Sequence, residues 1–167
     1  MDVILIRHAE AGDRDAAQYP NDDQRPITAE GRRKQTGFAR VMKKMGIRFD
    51  HLVTSPLDRA VQTAEIVGEI FGYKEAPTTS NALGHDCTPQ NVLKLLAKFP
   101  PGGTVALVGH EPDLSGVAAA FIAPGGQARI ELKKSGVIGI GFAGAPELGK
   151  GTLLYHLKPG HLKKLKS

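Results

Sequence analysis

The sequence predicts an α/β fold: one domain over residues 1–167, a three-layer α/β/α sandwich whose central sheet is mostly parallel with at least one antiparallel strand. Three observations predict it. Val3-Ile4-Leu5-Ile6 and Val105-Ala106-Leu107-Val108 are continuous apolar runs, the mark of strands covered on both faces. Stretches with helical spacing alternate with such runs, as strand-helix-strand units require. The 167 residues, 41% hydrophobic and 23% charged, suffice for one ordinary core and not for two.

The first strand, Val3 to Ile6, runs straight into Arg7-His8. In open α/β sheets ligands collect beyond the carboxyl ends of the strands, so these two side chains stand where a ligand would bind. Residues 9–27 are polar and turn-rich, a long loop over that end. Thr28 then caps a helix whose apolar positions Phe38, Val41, Met42 and Met45 keep helical spacing until Gly46 ends it. His51-Leu52-Val53-Thr54 reads as a short second strand. Ser55-Pro56-Leu57-Asp58 combines an N-cap, a proline at the first helical position and a capping-box acid, so the next helix is expected to open at Ser55. A weak strand is expected over 74–78, and Thr88-Pro89 opens a helix bearing Val92, Leu93, Leu96 and Phe99, stopped by Pro100-Pro101-Gly102-Gly103. The strand over 104–109 also ends in a histidine, His110, before a helix at roughly 112–122. Segments near 128–133, 136–142 and 152–157 read as strands joined by glycine-rich turns.

Twenty-two basic against seventeen acidic residues give a net charge of +5, and Lys158, Lys163, Lys164 and Lys166 place part of that excess at the end of the chain. Such a balance favours anionic partners. Aromatic residues are only 5% and none is interleaved with the basic end, which argues against stacking on nucleic acid. A solvated amphipathic end with Leu162 and Leu165 tucked down is the expected reading. No apolar run approaches membrane-spanning length, and the apolar start lacks the basic region of a signal peptide. The single cysteine, Cys87, excludes an internal disulfide framework. A cytoplasmic protein, with no membrane and no nucleic-acid partner, is the expectation.

Arg7 and His8 gain meaning from Arg59, in the first turn of the helix after the second strand. A cation there opposes the positive end of the helix dipole, at a cost of a few tenths of a kcal/mol, about what one bound anion would offset. Arginine holds phosphate oxygens with a planar fork, so two arginines and a helix N-terminus form a phosphate clamp.

Four blocks in order carry a resemblance: Ile6-Arg7-His8-Ala9-Glu10-Ala11, Arg25-Pro26-Ile27-Thr28-Ala29-Glu30-Gly31, Thr54-Ser55-Pro56-Leu57-Asp58-Arg59-Ala60-Val61-Gln62-Thr63-Ala64, and Leu107-Val108-Gly109-His110. Together they resemble the histidine phosphatase superfamily, of phosphoglycerate mutase-like fold, and within it the small SixA-type branch of bacterial phosphohistidine phosphatases. The resemblance implies His8 as a nucleophile that forms a phosphohistidine, which water then hydrolyses. It implies Arg7, Arg59 and His110 as the rest of the phosphate pocket, with no metal and no cofactor. The residue types agree with that chemistry. A nucleophilic His8 must be neutral at one ring nitrogen, which two neighbouring guanidinium groups favour, and a protonated His110 would donate to the phosphoryl oxygens.

Two departures from the family's pattern bear on the substrate. Ala9 stands where glycine usually follows the nucleophile. Asn81-Ala82-Leu83-Gly84-His85-Asp86 offers no glutamate where ester-cleaving relatives place their general acid. An alkoxide leaving group needs a proton, whereas an imidazole already protonated on its other nitrogen needs far less help. The expected substrate is therefore a phosphohistidine protein, such as a phosphotransfer domain of a signalling relay. The runner-up is a small phosphatase of low-molecular-weight phosphate esters with His85 or Asp86 as acid. From another class, a phosphate-binding module without turnover fits the same pocket. Asp86 is otherwise expected to cap a helix, and Arg25 either contacts substrate from above or pairs with Asp22 or Asp23. Arg32-Arg33-Lys34 reads as a solvated helix face, and His51, His156 and His161 receive no role.

Competing motifs fail. Gly144 to Gly151 imitates a phosphate-binding P-loop but lacks the following hydroxyl residue and leads into a strand, as a hairpin turn does. Asp13-Arg14-Asp15 does not follow a strand, and Cys87 has Leu93 where a cysteine phosphatase needs arginine. Arginines are poor company for a metal held by His8 and His110.

Overall fold

The computed structural model describes residues 1–162, so the basic end formed by Lys163, Lys164, Leu165 and Lys166 lies outside the described residues. The described strands are β1 (Asp2–Arg7), β2 (His51–Thr54), β3 (Thr78–Thr79), β4 (Thr104–Gly109), β5 (Val137–Gly141) and β6 (Thr152–Leu157). They form one sheet in the order β3-β2-β4-β1-β5-β6. Strands β1 to β4 pair in parallel, and β5 alone runs against both of its neighbours. The helices are α1 (Ala29–Lys44), α2 (Asp58–Phe71), α3 (Pro89–Leu96), α4 (Asp113–Ile122) and the short α5 (Pro159–Leu162).

The period of two along the central strands builds the three layers. Val3, Leu5, Val105 and Leu107 face a core shared with α3 and α4, while Ile4, Ile6, Ala106 and Val108 face a second core shared with α1 and α2. Each fully buried large side chain of this kind contributes roughly 1.5–3 kcal/mol. Helix α1 follows its cap: the Thr28 hydroxyl accepts from Gly31 N at 2.9 Å, and Gln35, Phe38, Ala39 and Met42 form the buried stripe. Met45 does not continue that stripe. It is the C-cap and 52% exposed, because Gly46 at φ 83° turns the chain and buries Ile47 instead.

Other departures have local causes. The expected strand over 74–78 reduces to Thr78–Thr79. No strand forms over 128–133: the segment pairs with no strand of the sheet, and Leu132 is buried in the core with Ile130 packed against it. Helix α2 opens at Asp58 with no side-chain cap, three residues after Ser55, whose backbone N–H stays in the sheet by donating to Val108 O at 2.9 Å. Helix α3 stops at Leu96, and the Phe99 ring lies outside it against His51, 4.8 Å between ring centres. The segment from Gly144 to Gly151 joins antiparallel β5 and β6, as expected of a hairpin connection. Among the described residues no helix is long and apolar enough to cross a membrane.

Candidate active site

Adjacent parallel strands β1 and β4 send their following helices, α1 and α4, to opposite faces of the sheet. Such a switch point leaves a crevice outside the carboxyl ends of the strands. The chain places Arg7 and His8 at the end of β1, Ser55 just past β2 and His110 just past β4. The backbone there is held rigidly: His8 N donates to Gly109 O at 3.0 Å, and Ser135 N to His8 O at 3.2 Å.

His8 is buried, and its Nδ1 lies 2.6 Å from Ala9 O. A carbonyl only accepts, so Nδ1 carries the proton and the lone pair remains on Nε2. Burial pushes the imidazole pKa down to about 4, with Arg59, Arg7 and Arg25 lowering it further and the Ala9 hydrogen bond opposing them. The expected neutrality of His8 therefore rests on burial first and the guanidinium groups second. Ala9 is itself fully buried, and its N–H donates to Thr63 Oγ1 at 3.0 Å, while that hydroxyl donates to Arg59 O at 2.7 Å. Thr63 thus ties the residue after His8 to the first turn of α2, a link invisible in the sequence because Thr63 reads as an ordinary helix residue.

Arg59 is buried at the second position of α2. Its Nη1 donates to Asp22 O at 2.9 Å and sits 3.5 Å from the Asp22 carboxylate. Arg7 Nη1 donates to Leu132 O at 2.9 Å. Arg25 takes the ion-pair alternative: its Nε donates to Asp22 Oδ1 at 2.8 Å, and Nη1 bonds Gly12 O. The Arg25 hydrogen bond holds the Asp22 carboxyl below its ordinary range. Arg25 is nonetheless buried and close enough to disfavour the charged form of His8. Among the described residues Arg7 Nε, Arg59 Nε and His110 Nδ1 are buried donors without a hydrogen-bond partner. Three unspent donors beside a neutral nucleophile suit an oxyanion and repel a metal cation.

His110 lies 5.1 Å from His8 between ring centres. Its Nε2 is 2.8 Å from Ser55 Oγ, and that hydroxyl already accepts from Leu57 N at 3.3 Å. Among the described residues the buried Ser55 hydroxyl has no other acceptor, so it donates to Nε2 and the ring proton stays on Nδ1, the unpaired atom. Burial, then His8 and Arg59, drive the His110 pKa down to about 3. Burial beside His8 and Arg59 thus disfavours the charged ring in this structure, and the neutral ring can still donate to a phosphoryl oxygen through Nδ1–H. Ser55, read from the sequence as a helix cap, is instead the residue that orients His110.

His85 is exposed, with Nε2 3.0 Å from both Asp23 oxygens, at the rim near His110. Asp86 does not cap α3. The Thr88 hydroxyl does so, accepting from Asn91 N at 3.1 Å, while Asp86 O accepts from Asn91 Nδ2 at 2.8 Å. The Cys87 thiol is pushed up to about 12, chiefly by burial, and is inert as a nucleophile. Among the described residues no cluster of His, Cys, Asp or Glu could hold a metal.

Comparison with known proteins meets this geometry from outside. The family profile described as the histidine phosphatase superfamily (branch 1) matches residues 3–83. An uncharacterized protein of Picosynechococcus sp. is 33% identical over 144 residues, 84% of either chain. Phosphohistidine phosphatase SixA of Escherichia coli is 27% identical over 173 residues, 100% of this chain and 99% of its own. Among solved structures, the protein histidine phosphatase SixA complexed with tungstate matches at a TM-score of 0.78 and 22% identity, over 97% of this chain and 99% of that one. At that identity the structural likeness establishes the fold.

Proposed function

This chain belongs to the histidine phosphatase superfamily, and we propose that within it the protein is a metal-independent phosphatase of phosphohistidine proteins working through a covalent intermediate on His8. Its class, a phosphatase, comes from the family and its SixA relative. The mechanism is carried by one observation: the Nδ1–H of His8 is spent on Ala9 O, which aims reactivity at Nε2 in a pocket with Arg7 and Arg59.

In the first step the Nε2 lone pair of His8 attacks phosphorus in line. The bond from phosphorus to the leaving nitrogen breaks, and its electron pair stays with the departing imidazole. Arg7, Arg59 and His110 Nδ1–H stabilise the three equatorial oxygens, and positioning with fixed electrostatics supplies most of the rate. In the second step water attacks the phosphorus of phospho-His8 as the bond to Nε2 breaks; the electron pair returns to Nε2 and restores neutral His8, and water's proton passes to a phosphate oxygen, giving inorganic phosphate. The related SixA is described with tungstate, a tetrahedral oxyanion like phosphate.

The segment after β3 favours phosphohistidine over esters. Asn81 to Asp86 contains no glutamate; His85 is exposed and bound to Asp23, and Asp86 lies on the exposed approach to α3. A leaving group that needs no strong acid fits that surrounding. The test is a side-by-side comparison of kcat/KM on a histidine-phosphorylated protein, a phosphoserine peptide and an aryl phosphate. Preference for the phosphohistidine protein is expected; ester preference overturns the specificity and favours His85 as acid.

A further inference from the structure

Beside the phosphate pocket a groove of about 780 Å³ runs between one flank of α1, the segment 133–135 and the start of α5. Its floor is apolar, with Phe38, Val41 and Pro159, and its walls are basic: Arg7, Arg33, Lys34, Lys133, Lys134 and Lys158. Three acids temper these six cations. Lys34 pairs with Glu30 at 2.8 Å and with Glu10 at 3.2 Å. Glu131 pairs with Lys133 and lies 4.0 Å from Lys158. The groove stays net positive, and Arg33, with 75% of its side chain exposed, holds Glu30 only at 3.8 Å.

Two features say what the groove is for. Arg7 lines this groove and also acts electrostatically on His8, so a segment lying in the groove is adjacent to the phosphate pocket. Arg33 and Lys134 are long, exposed wall cations, the first held only loosely by Glu30 at 3.8 Å, and such charges steer an oppositely charged partner. An apolar floor between basic walls matches an acidic amphipathic segment, apolar residues down and carboxylates to either side. Resting on the phosphohistidine reading of the site, we propose that this groove docks an acidic amphipathic segment of the phosphoprotein substrate, beside its phosphohistidine. The positive-sided helix face over Arg32-Arg33-Lys34 thereby has a use besides solvation.

The test is the double variant Arg33→Glu/Lys134→Glu, at two exposed positions outside the phosphate pocket. Two substrates separate docking from chemistry: a histidine-phosphorylated phosphotransfer domain of acidic surface is set against free phosphohistidine. On the domain kcat/KM is expected to fall about tenfold or more through KM, and on free phosphohistidine to stay within about twofold, as for a rim charge that acts on association. Unchanged rates on both, or a parallel fall on both, overturn the docking groove. Binding of the unphosphorylated domain, measured at low and high salt, gives a readout independent of turnover. Wild-type affinity should weaken with salt, and the variant should bind weakly with a flatter salt dependence. Equal affinity and equal salt dependence in the variant overturn the groove. Single-stranded RNA that binds as tightly as the domain, and is lost in the variant, overturns the acidic protein as occupant. Failure of the wild type to hydrolyse either substrate overturns the phosphohistidine reading and leaves the binding arm to decide the groove.

Discussion

At the scale of single residues, the two histidines share the Nδ1–H tautomer and divide the work by which nitrogen is left free. His8 spends Nδ1–H on Ala9 O and keeps Nε2 bare, whereas His110 takes a hydroxyl at Nε2 and keeps Nδ1–H free. Ser55→Ala should therefore lower kcat about tenfold, the equivalent of about 1.4 kcal/mol, with a smaller change in KM. Nitrogen NMR of the His110 ring should show loss of the single Nδ1–H tautomer, and Ser55→Thr should restore it. An unchanged tautomer with lower kcat would remove the positioning role. Arg7, His8, Arg59 and His110 are legible in the sequence because each sits at a recognisable strand end or helix start. Ser55 is not, since Ser-Pro-Leu-Asp satisfies the local rules for a helix cap and only the neighbouring strand brings His110 to it. The charge of His110 is hidden for a similar reason: burial is a property of the folded chain.

At the scale of elements, the start of α1 is locked against the loop after His8. Thr28 N donates to Glu10 O at 2.8 Å, and a Cβ on Gly31 would stand 2.2 Å from that same carbonyl oxygen. Gly31→Ala should thus destabilise the protein by about 1–3 kcal/mol, the usual cost of forcing atoms into packed space. Urea unfolding measures it through the midpoint at constant m-value, and a midpoint equal to that of the wild type would contradict the contact. The long strands and helices are readable from the apolar runs over 3–6 and 105–108 and from the spacing of Phe38 and Met42. The strand expected over 128–133 is not realised: alternating Ile130 and Leu132 satisfy a half-buried loop as well as a strand, and the segment pairs with no strand of the sheet. Short β3 shows the same limit, since two residues carry no periodicity.

At the scale of the whole molecule, burying two neutral histidines couples folding to pH. Both have folded pKa values below the ordinary 6.5, His8 at about 4 and His110 at about 3, so the unfolded chain binds more protons in that window. Stability is therefore full above about pH 6.5 and falls as pH drops toward 4. Tm measured from pH 7 to pH 4 should decline, and His8→Asn/His110→Asn should flatten the decline. Asp22, a carboxyl held below its ordinary range, acts only at more acidic pH. The same lowered value of His8 keeps the nucleophile neutral, so the acid limb of kcat/KM should lie near pH 4 and not near 6.5. The claim on which the mechanism stands is that His8 carries the phosphoryl group in turnover. Rapid quenching of the enzyme with a radiolabelled phosphohistidine protein tests it directly. The expected result is an acid-labile, base-stable label on His8, absent from a folded and inactive His8→Ala variant. Turnover by His8→Ala, or steady-state hydrolysis with no label on the protein at any time, would contradict it.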